Sequence, residues 1–131
     1  MTKIISSNVR GIVKVTTDAY IQHCWKNCSL DRVTFLKNEH VHKMVVTVEI
    51  EINDTDRECE FFLIRATVLS TLHKLYAKDY NDMLFIYNIE SQSMEMIADN
   101  LFSNLKVIYS GLRAVECSED GFFSGRIEKR S

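Results

Sequence analysis

Apolar and polar residues alternate most strictly along residues 44–52. Met44, Val46, Val48, Ile50 and Ile52 fall on one side, and Thr47, Glu49 and Glu51 on the other. A period of two is that of a half-buried strand. Residues 9–17 show a second alternation, with Val9, Val13 and Val15 opposed by Arg10 and Lys14. Residues 33–36 read as a short strand ending at the polar turn Lys37-Asn38-Glu39-His40. Residues 19–28 fit either a short helical turn or a loop. From Thr55 the period changes. Thr55-Asp56-Arg57-Glu58 has the form of a capping box, and Phe61, Phe62, Ile64, Val68, Leu69, Leu72, Leu75 and Tyr76 then share one arc of a helical wheel. Arg65 falls inside that arc, where it would snorkel past the helix edge or pair with Glu49 or Glu51. Lys78-Asp79 breaks the helix, and residues 83–89 are apolar on both faces, as in a central strand. A second amphipathic helix covers residues 93–109, with Gly111 as its stop. Residues 114–117 then form a strand, Ser118-Glu119-Asp120-Gly121 a turn, and residues 122–127 a returning hairpin arm. The pattern predicts an α+β fold: a mostly antiparallel sheet or sandwich with two amphipathic helices packed on one face. The tail from Glu128 to Ser131 reads as frayed.

Composition changes this picture little. A chain of 131 residues with 46% apolar and 26% charged residues suits one globular unit. There is no proline and few glycines, so no linker is evident. The expected organisation is one domain over 1–131, strand-rich and basic at its N-terminal side and helix-strand-helix at its C-terminal side. No apolar run is long enough to span a bilayer, and the N-terminus lacks the apolar core of a signal peptide. Cytoplasm or nucleus is then the default, and Cys24, Cys28, Cys59 and Cys117 are expected as free thiols.

Charge adds an asymmetry. Residues 1–43 carry Lys3, Arg10, Lys14, Lys26, Arg32, Lys37 and Lys43 against Asp18, Asp31 and Glu39, a balance of +4 within a chain of net charge −2. A basic first third beside an acidic remainder would favour head-to-tail self-packing or phosphate binding, unless the charges spread evenly over the surface.

The densest group of ligand-type side chains is His23, Cys24, Cys28, His40 and His42. A zinc site from Cys24, Cys28, His40 and His42 has the right donor kinds. Its His-x-His pair is tighter than the spacing of about three to five residues usual in helix-borne pairs. Ordinary thiols and surface histidines are therefore the preferred reading, with no metal and no cofactor. No phosphate loop, His-Glu-x-x-His or Gly-x-Ser-x-Gly motif occurs, and no aromatic-basic repeat reads RNA bases. These absences point to a non-enzyme without a small-molecule substrate.

Phe61-Phe62-Leu63-Ile64, the Lys78-Asp79 break, Met83-Leu84-Phe85-Ile86 and a second amphipathic helix ending near Gly111 follow an order that resembles the matrix proteins of bornaviruses. These are small proteins of enveloped negative-strand RNA viruses, and the resemblance covers about the second half of the chain. It implies an α+β sandwich that self-assembles as a homo-oligomer, lies on the inner membrane leaflet and holds RNA. The implied place is the virion and host cytoplasm, peripheral to the membrane. Its partners would be other copies, an anionic lipid surface, and RNA or ribonucleoprotein held by charge. On that reading Arg10, Lys14, Lys37 and Lys43 form the basic contact face, each worth about 1 kcal/mol near an anionic leaflet. Arg65, Met96 and Val107 then serve the oligomer interface. The competing expectation is a small cytosolic regulatory or interaction module, stabilised by zinc.

Overall fold

The computed structural model describes residues 3–130. Strand β1 (Gly11–His23) pairs antiparallel with β2 (His40–Ile52) along its whole length. Helix α1 (Phe61–Tyr76) is followed by the short β3 (Tyr80–Asn81) and by β4 (Ile86–Glu90). Helix α2 (Met94–Leu105) leads into β5 (Leu112–Glu119) and β6 (Phe123–Glu128). The described strands form one sheet in the order β3-β4-β1-β2-β5-β6. Only the β1–β4 pairing is parallel. The α+β class and the placement of both helices on one face of a mostly antiparallel sheet hold.

The core lies between that face and the two helices. On β2, Met44, Val46, Val48 and Ile50 point inward and are buried, as are Val15 and Ile21 of β1. Ile64, Val68, Leu72 and Tyr76 form the matching stripe of α1, and Met94, Ile97, Ala98, Leu101 and Leu105 that of α2. These apolar groups make one cluster, and each large side chain removed from water contributes about 1.5–3 kcal/mol. Cys117 belongs to the same cluster, where burial pushes its thiol up to about 12. A thiol that stays protonated is chemically inert.

Several local expectations are corrected. Glu58 does not cap α1; its Oε1 accepts from the backbone amides of Asn53 (2.8 Å) and Asp54 (3.0 Å) and closes a turn. The cap is Glu60, which accepts from Leu63 N at 3.1 Å. Residues 33–36 are not a strand, because Asp31–Lys37 winds as two 3-10 turns joined by a kink at Val33, with no buried residue. The run expected as a central strand over residues 83–89 is one only from Ile86, where β4 lies between β3 and β1. Asn81 Oδ1 accepts from the amides of Met83 and Leu84, and the chain turns there with Phe85 at φ 58°. Met83, Leu84 and Phe85 are exposed, and only Ile86 onward joins the sheet. Arg65 is exposed and stacks over the Phe62 ring at 5.3 Å rather than meeting a strand carboxylate. Glu49 bonds Arg126 instead, and Glu51 faces Arg10. Residues 19–23 continue β1. At the other end Glu128 belongs to β6 and Lys129 N donates to Arg113 O at 2.7 Å, while Ser131 lies outside the described residues.

Gly111 does not stop α2, which ends at Leu105. It serves a close approach: a Cβ there would lie 2.2 Å from the Glu51 carbonyl oxygen, whose residue donates its amide to Gly111 O at 2.7 Å. Neither backbone can give way without loss of that bond. Gly111→Ala is therefore expected to lower stability by about 1–3 kcal/mol, the usual cost of overpacking. Urea unfolding curves of the two proteins check this, and an unchanged midpoint would refute it.

Candidate metal centre

The site is built by strand period and register. His40 and His42 are two apart on β2 and share the inward parity of Met44, so both side chains lie on the helix-covered face. His23, the last residue of β1, stands directly opposite His40 in the antiparallel pairing. Three imidazoles thus converge where β1 ends and β2 begins. Their ring centroids lie 4.6 Å (His23–His40), 5.2 Å (His23–His42) and 4.9 Å (His40–His42) apart. One nitrogen from each falls within 4.8 Å of the others.

Each ring is oriented through Nδ1. That atom of His23 lies 3.0 Å from Gln92 O, that of His40 is 2.8 Å from Asn38 O, and that of His42 is 2.7 Å from Asp120 Oδ2. The two carbonyls can only accept. The Asp120 carboxyl is held below the usual carboxylate range by the His42 ring and the Lys43 amide, so it too accepts. All three Nδ1 atoms therefore carry a proton, which leaves Nε2 of each neutral ring as the atom able to ligate. Such Nδ1–H donation to oxygen is the usual outer support of a metal-bound histidine. His23 Nε2 is buried without a hydrogen-bond partner. An orphaned buried acceptor is costly, and a metal ion would satisfy it. Burial also pushes the His23 imidazole below its ordinary value, against the raising effects of the Gln92 carbonyl and Glu119. The residues fit a divalent ion that prefers neutral imidazole, zinc foremost.

The supports are themselves fixed. Gln92 Oε1 accepts from Tyr76 Oη (3.0 Å) and Asn100 Nδ2 (3.2 Å), tying the loop that holds His23 to both helices. Asp120 takes a left-handed φ of 56°, tolerable for Asp, and accepts from Lys43 N at 2.9 Å. Beside the histidines opens a cavity of about 450 Å³. His23, His40 and Glu119 form one part of its lining; Trp25, Leu36 and Met96 supply apolar surface, and Ser91 and Glu95 polar groups. Glu95 is set there by Gly125 of β6, where a Cβ would come within 3.0 Å of Glu95 N. A smaller polar cavity of about 210 Å³ lies at the other end of β2, among Glu51, Glu58, Arg113 and Lys129, away from the histidines.

Of the residues singled out as zinc ligands, the structure brings together His40 and His42 but joins them with His23, not with the cysteines. Cys28 Sγ faces the carbonyls of Leu30 (3.8 Å) and Val33 (3.7 Å), and Cys24 Sγ lies 4.0 Å from Ser91 Oγ. Cys24 lies just beyond the end of β1 and lines the cavity next to the histidines without joining them. The residues assigned to a basic face sit in a field of both signs. Arg10 lies 3.6 Å from Glu51, Lys43 lies 3.5 Å from Asp18, and Lys14 stands opposite Glu49. Lys37 is exposed at the end of the 3-10 helix. Arg65, Met96 and Val107 are exposed, and Met96 lines the cavity.

No protein-family model matches the chain, and no curated protein matches it by sequence. Solved structures do. An uncharacterized protein from Wolinella succinogenes matches with a TM-score of 0.68 at 14% identity, over 93% of this chain and 99% of that one. The 6-pyruvoyl tetrahydropterin synthase of Caenorhabditis elegans matches with a TM-score of 0.62 at 13% identity, over 93% of this chain and 97% of that one. A catalytic-residue mutant of the Plasmodium vivax 6-pyruvoyltetrahydropterin synthase reaches 0.52 at 12% identity, over 92% and 99% of the two chains.

These matches overturn the matrix-protein expectation and what hung on it: the viral structural role, the virion, and the lipid and RNA partners. Physically, it failed because the run at residues 83–85 is an exposed turn, Lys14 stands opposite Glu49 and Lys43 lies beside Asp18. The expectations of a non-enzyme and of no small-molecule substrate are opposed as well, since the fold neighbours of named activity are synthases. The alternative of a zinc-stabilised interaction module gains no support from them. Among the described residues no helix is long and apolar enough to cross a membrane. In architecture the chain is similar to 6-pyruvoyl tetrahydropterin synthase.

Proposed function

We propose that this protein is a metal-dependent enzyme whose zinc ion is held by His23, His40 and His42 and whose substrate is a small polar heterocycle of the pterin type. The observation that carries the reading is the convergence of three imidazoles, each fixed by an oxygen on Nδ1. Three histidines with room for a further ligand make a catalytic rather than a closed structural zinc site. When bound, the ion supplies Lewis acidity to a substrate oxygen. The chain's own groups do the rest. Trp25 and Met96 offer flat and deformable apolar surface for a planar ring, while Glu95 and Glu119 offer carboxylates to its N–H and O–H groups. A cavity of about 450 Å³ suits a ligand of that size. The fold shared with 6-pyruvoyl tetrahydropterin synthase supports the choice of heterocycle.

The first test is metal content. Purified protein is expected to hold about one zinc per chain, and His23→Ala, His40→Ala and His42→Ala should each lose it while remaining folded. Asp120→Asn, which leaves His42 poorly oriented, should weaken zinc affinity about 10–100-fold in chelator competition. A metal-free protein that refuses added zinc would overturn the reading. Fluorescence of Trp25, the only tryptophan, gives the second test: added pterin should quench it in the zinc-loaded protein and far less in His40→Ala.

Acid should act on the metal-free protein in a definite direction. His23 titrates below its ordinary value when folded, whereas in the unfolded chain it titrates near about 6.5. The unfolded state thus binds more protons in that interval. The contribution is fully present above about pH 6.5 and is lost as pH falls through the folded value. Urea midpoints should therefore drop between pH 7.5 and pH 5.5, with a smaller drop in His23→Gln.

A further inference from the structure

Glu119 ends β5 with its side chain on the inward face, opposite Met44 of β2. Its two oxygens divide between two of the histidines. Oε1 lies 3.4 Å from His23 Nε2, and Oε2 lies 3.6 Å from His42 Nε2. Neither approach supplies His23 Nε2 with a hydrogen bond. With the ring protons on Nδ1, a carboxylate and two lone pairs face each other across a gap too short for mutual repulsion to be ignored. The geometry asks for a cation in that gap. Metal–nitrogen and metal–oxygen bonds of about 2.0–2.1 Å place neighbouring corners of a tetrahedron about 3.3–3.4 Å apart. The Glu119–histidine spacings are close to those edges.

We infer that Glu119 is the fourth ligand of the resting metal centre and the one that an incoming molecule displaces. The inference rests on the three-histidine reading above and extends it. Displacement falls to Glu119 because it lines the cavity and lacks the second hydrogen bond that anchors each histidine. Asp120, next in sequence, cannot share the role, since its carboxylate is engaged by His42 Nδ1 and Lys43 N. Consecutive acids are thus split between metal and outer support. A substrate must then offer an oxygen able to compete with a carboxylate, which favours adjacent oxygens that chelate over a lone hydroxyl. Once released, Glu119 remains in the cavity as an acceptor beside the bound molecule.

The test uses cobalt(II) in place of zinc, with azide as the probe of an open position. Wild-type protein loaded with cobalt is expected to show the intense visible bands of a four-coordinate ion and to respond weakly to azide. Glu119→Gln should alter those bands, bind azide with a half-saturation at least about 10-fold lower, and lose about 10-fold in zinc affinity. Glu119→Asp, keeping the charge, should recover part of that affinity. Identical spectra and azide titrations in wild type and Glu119→Gln would overturn the Glu119 assignment alone. Failure of wild type to bind cobalt, or binding unaffected by His40→Ala, would overturn the three-histidine reading and the assignment with it.

Discussion

The register between β1 and β2 is the constraint on which the rest depends. Thirteen residues of each strand pair without a break, from Gly11 opposite Ile52 to His23 opposite His40. A slip of one residue would turn Met44, Val46, Val48 and Ile50 out of the core and carry His40 and His42 to the open face. The same apolar alternation that buries one side of β2 therefore also aims its two histidines. Core and site are specified by one pattern, and the site inherits the rigidity of the two best-paired strands.

The helices complete the arrangement by where they begin. Helix α2 is capped by Ser93, whose side chain accepts from Met96 N, just after the loop whose Gln92 carbonyl orients His23. Burial of Ile97, Leu101 and Leu105 fixes the axis of α2 on the sheet, and the absent Cβ of Gly125 lets its first turn come down against β6. The tie from Tyr76 and Asn100 to Gln92 then makes the two helices answerable for the position of one ring. Each polar contact alone is worth about 1 kcal/mol. Together they hold a ligand whose other side meets no hydrogen-bond partner.

How far the sequence was legible follows from which signals are local. Strict alternation in β2 and the central part of the apolar stripes of α1 and α2 survive in the structure because each is set by burial on one face, whereas Phe61, Phe62 and Leu69 of the α1 arc are exposed. The Thr55 capping box failed because a carboxylate three residues on can serve any nearby amide, and Glu58 found those of Asn53 and Asp54. Met83-Leu84-Phe85 misled because apolarity does not distinguish a buried strand from an exposed turn. The site was half visible. His40-x-His42 stands out together with Cys24 and Cys28 but reads as too tight, because the usual ligand spacings assume helices or knuckles, whereas residues two apart on a strand share one face. What would have located the third ligand is the extension of β1 through Tyr20 and Gln22, outward-facing residues that keep the alternation running to His23.

Charge arithmetic shows the same limit from the other side. The +4 of the first third is real in sequence, but β1 and β2 set part of it against the acidic stretch that follows. Lys14 stands opposite Glu49 and Arg10 approaches Glu51, while Lys43 pairs within the first third with Asp18. Opposite charges set directly across a sheet stabilise the pairing locally, and by neutralising one another they leave little net field for a distant polyanion. At the far end of the same two strands the logic inverts: four electron-rich groups, His23, His40, His42 and Glu119, are brought together with no cationic side chain among them. The proposed ion thus rests on metal-ligating groups gathered at one end of the sheet. Binding such an ion would in turn draw on the folding energy that holds the groups together.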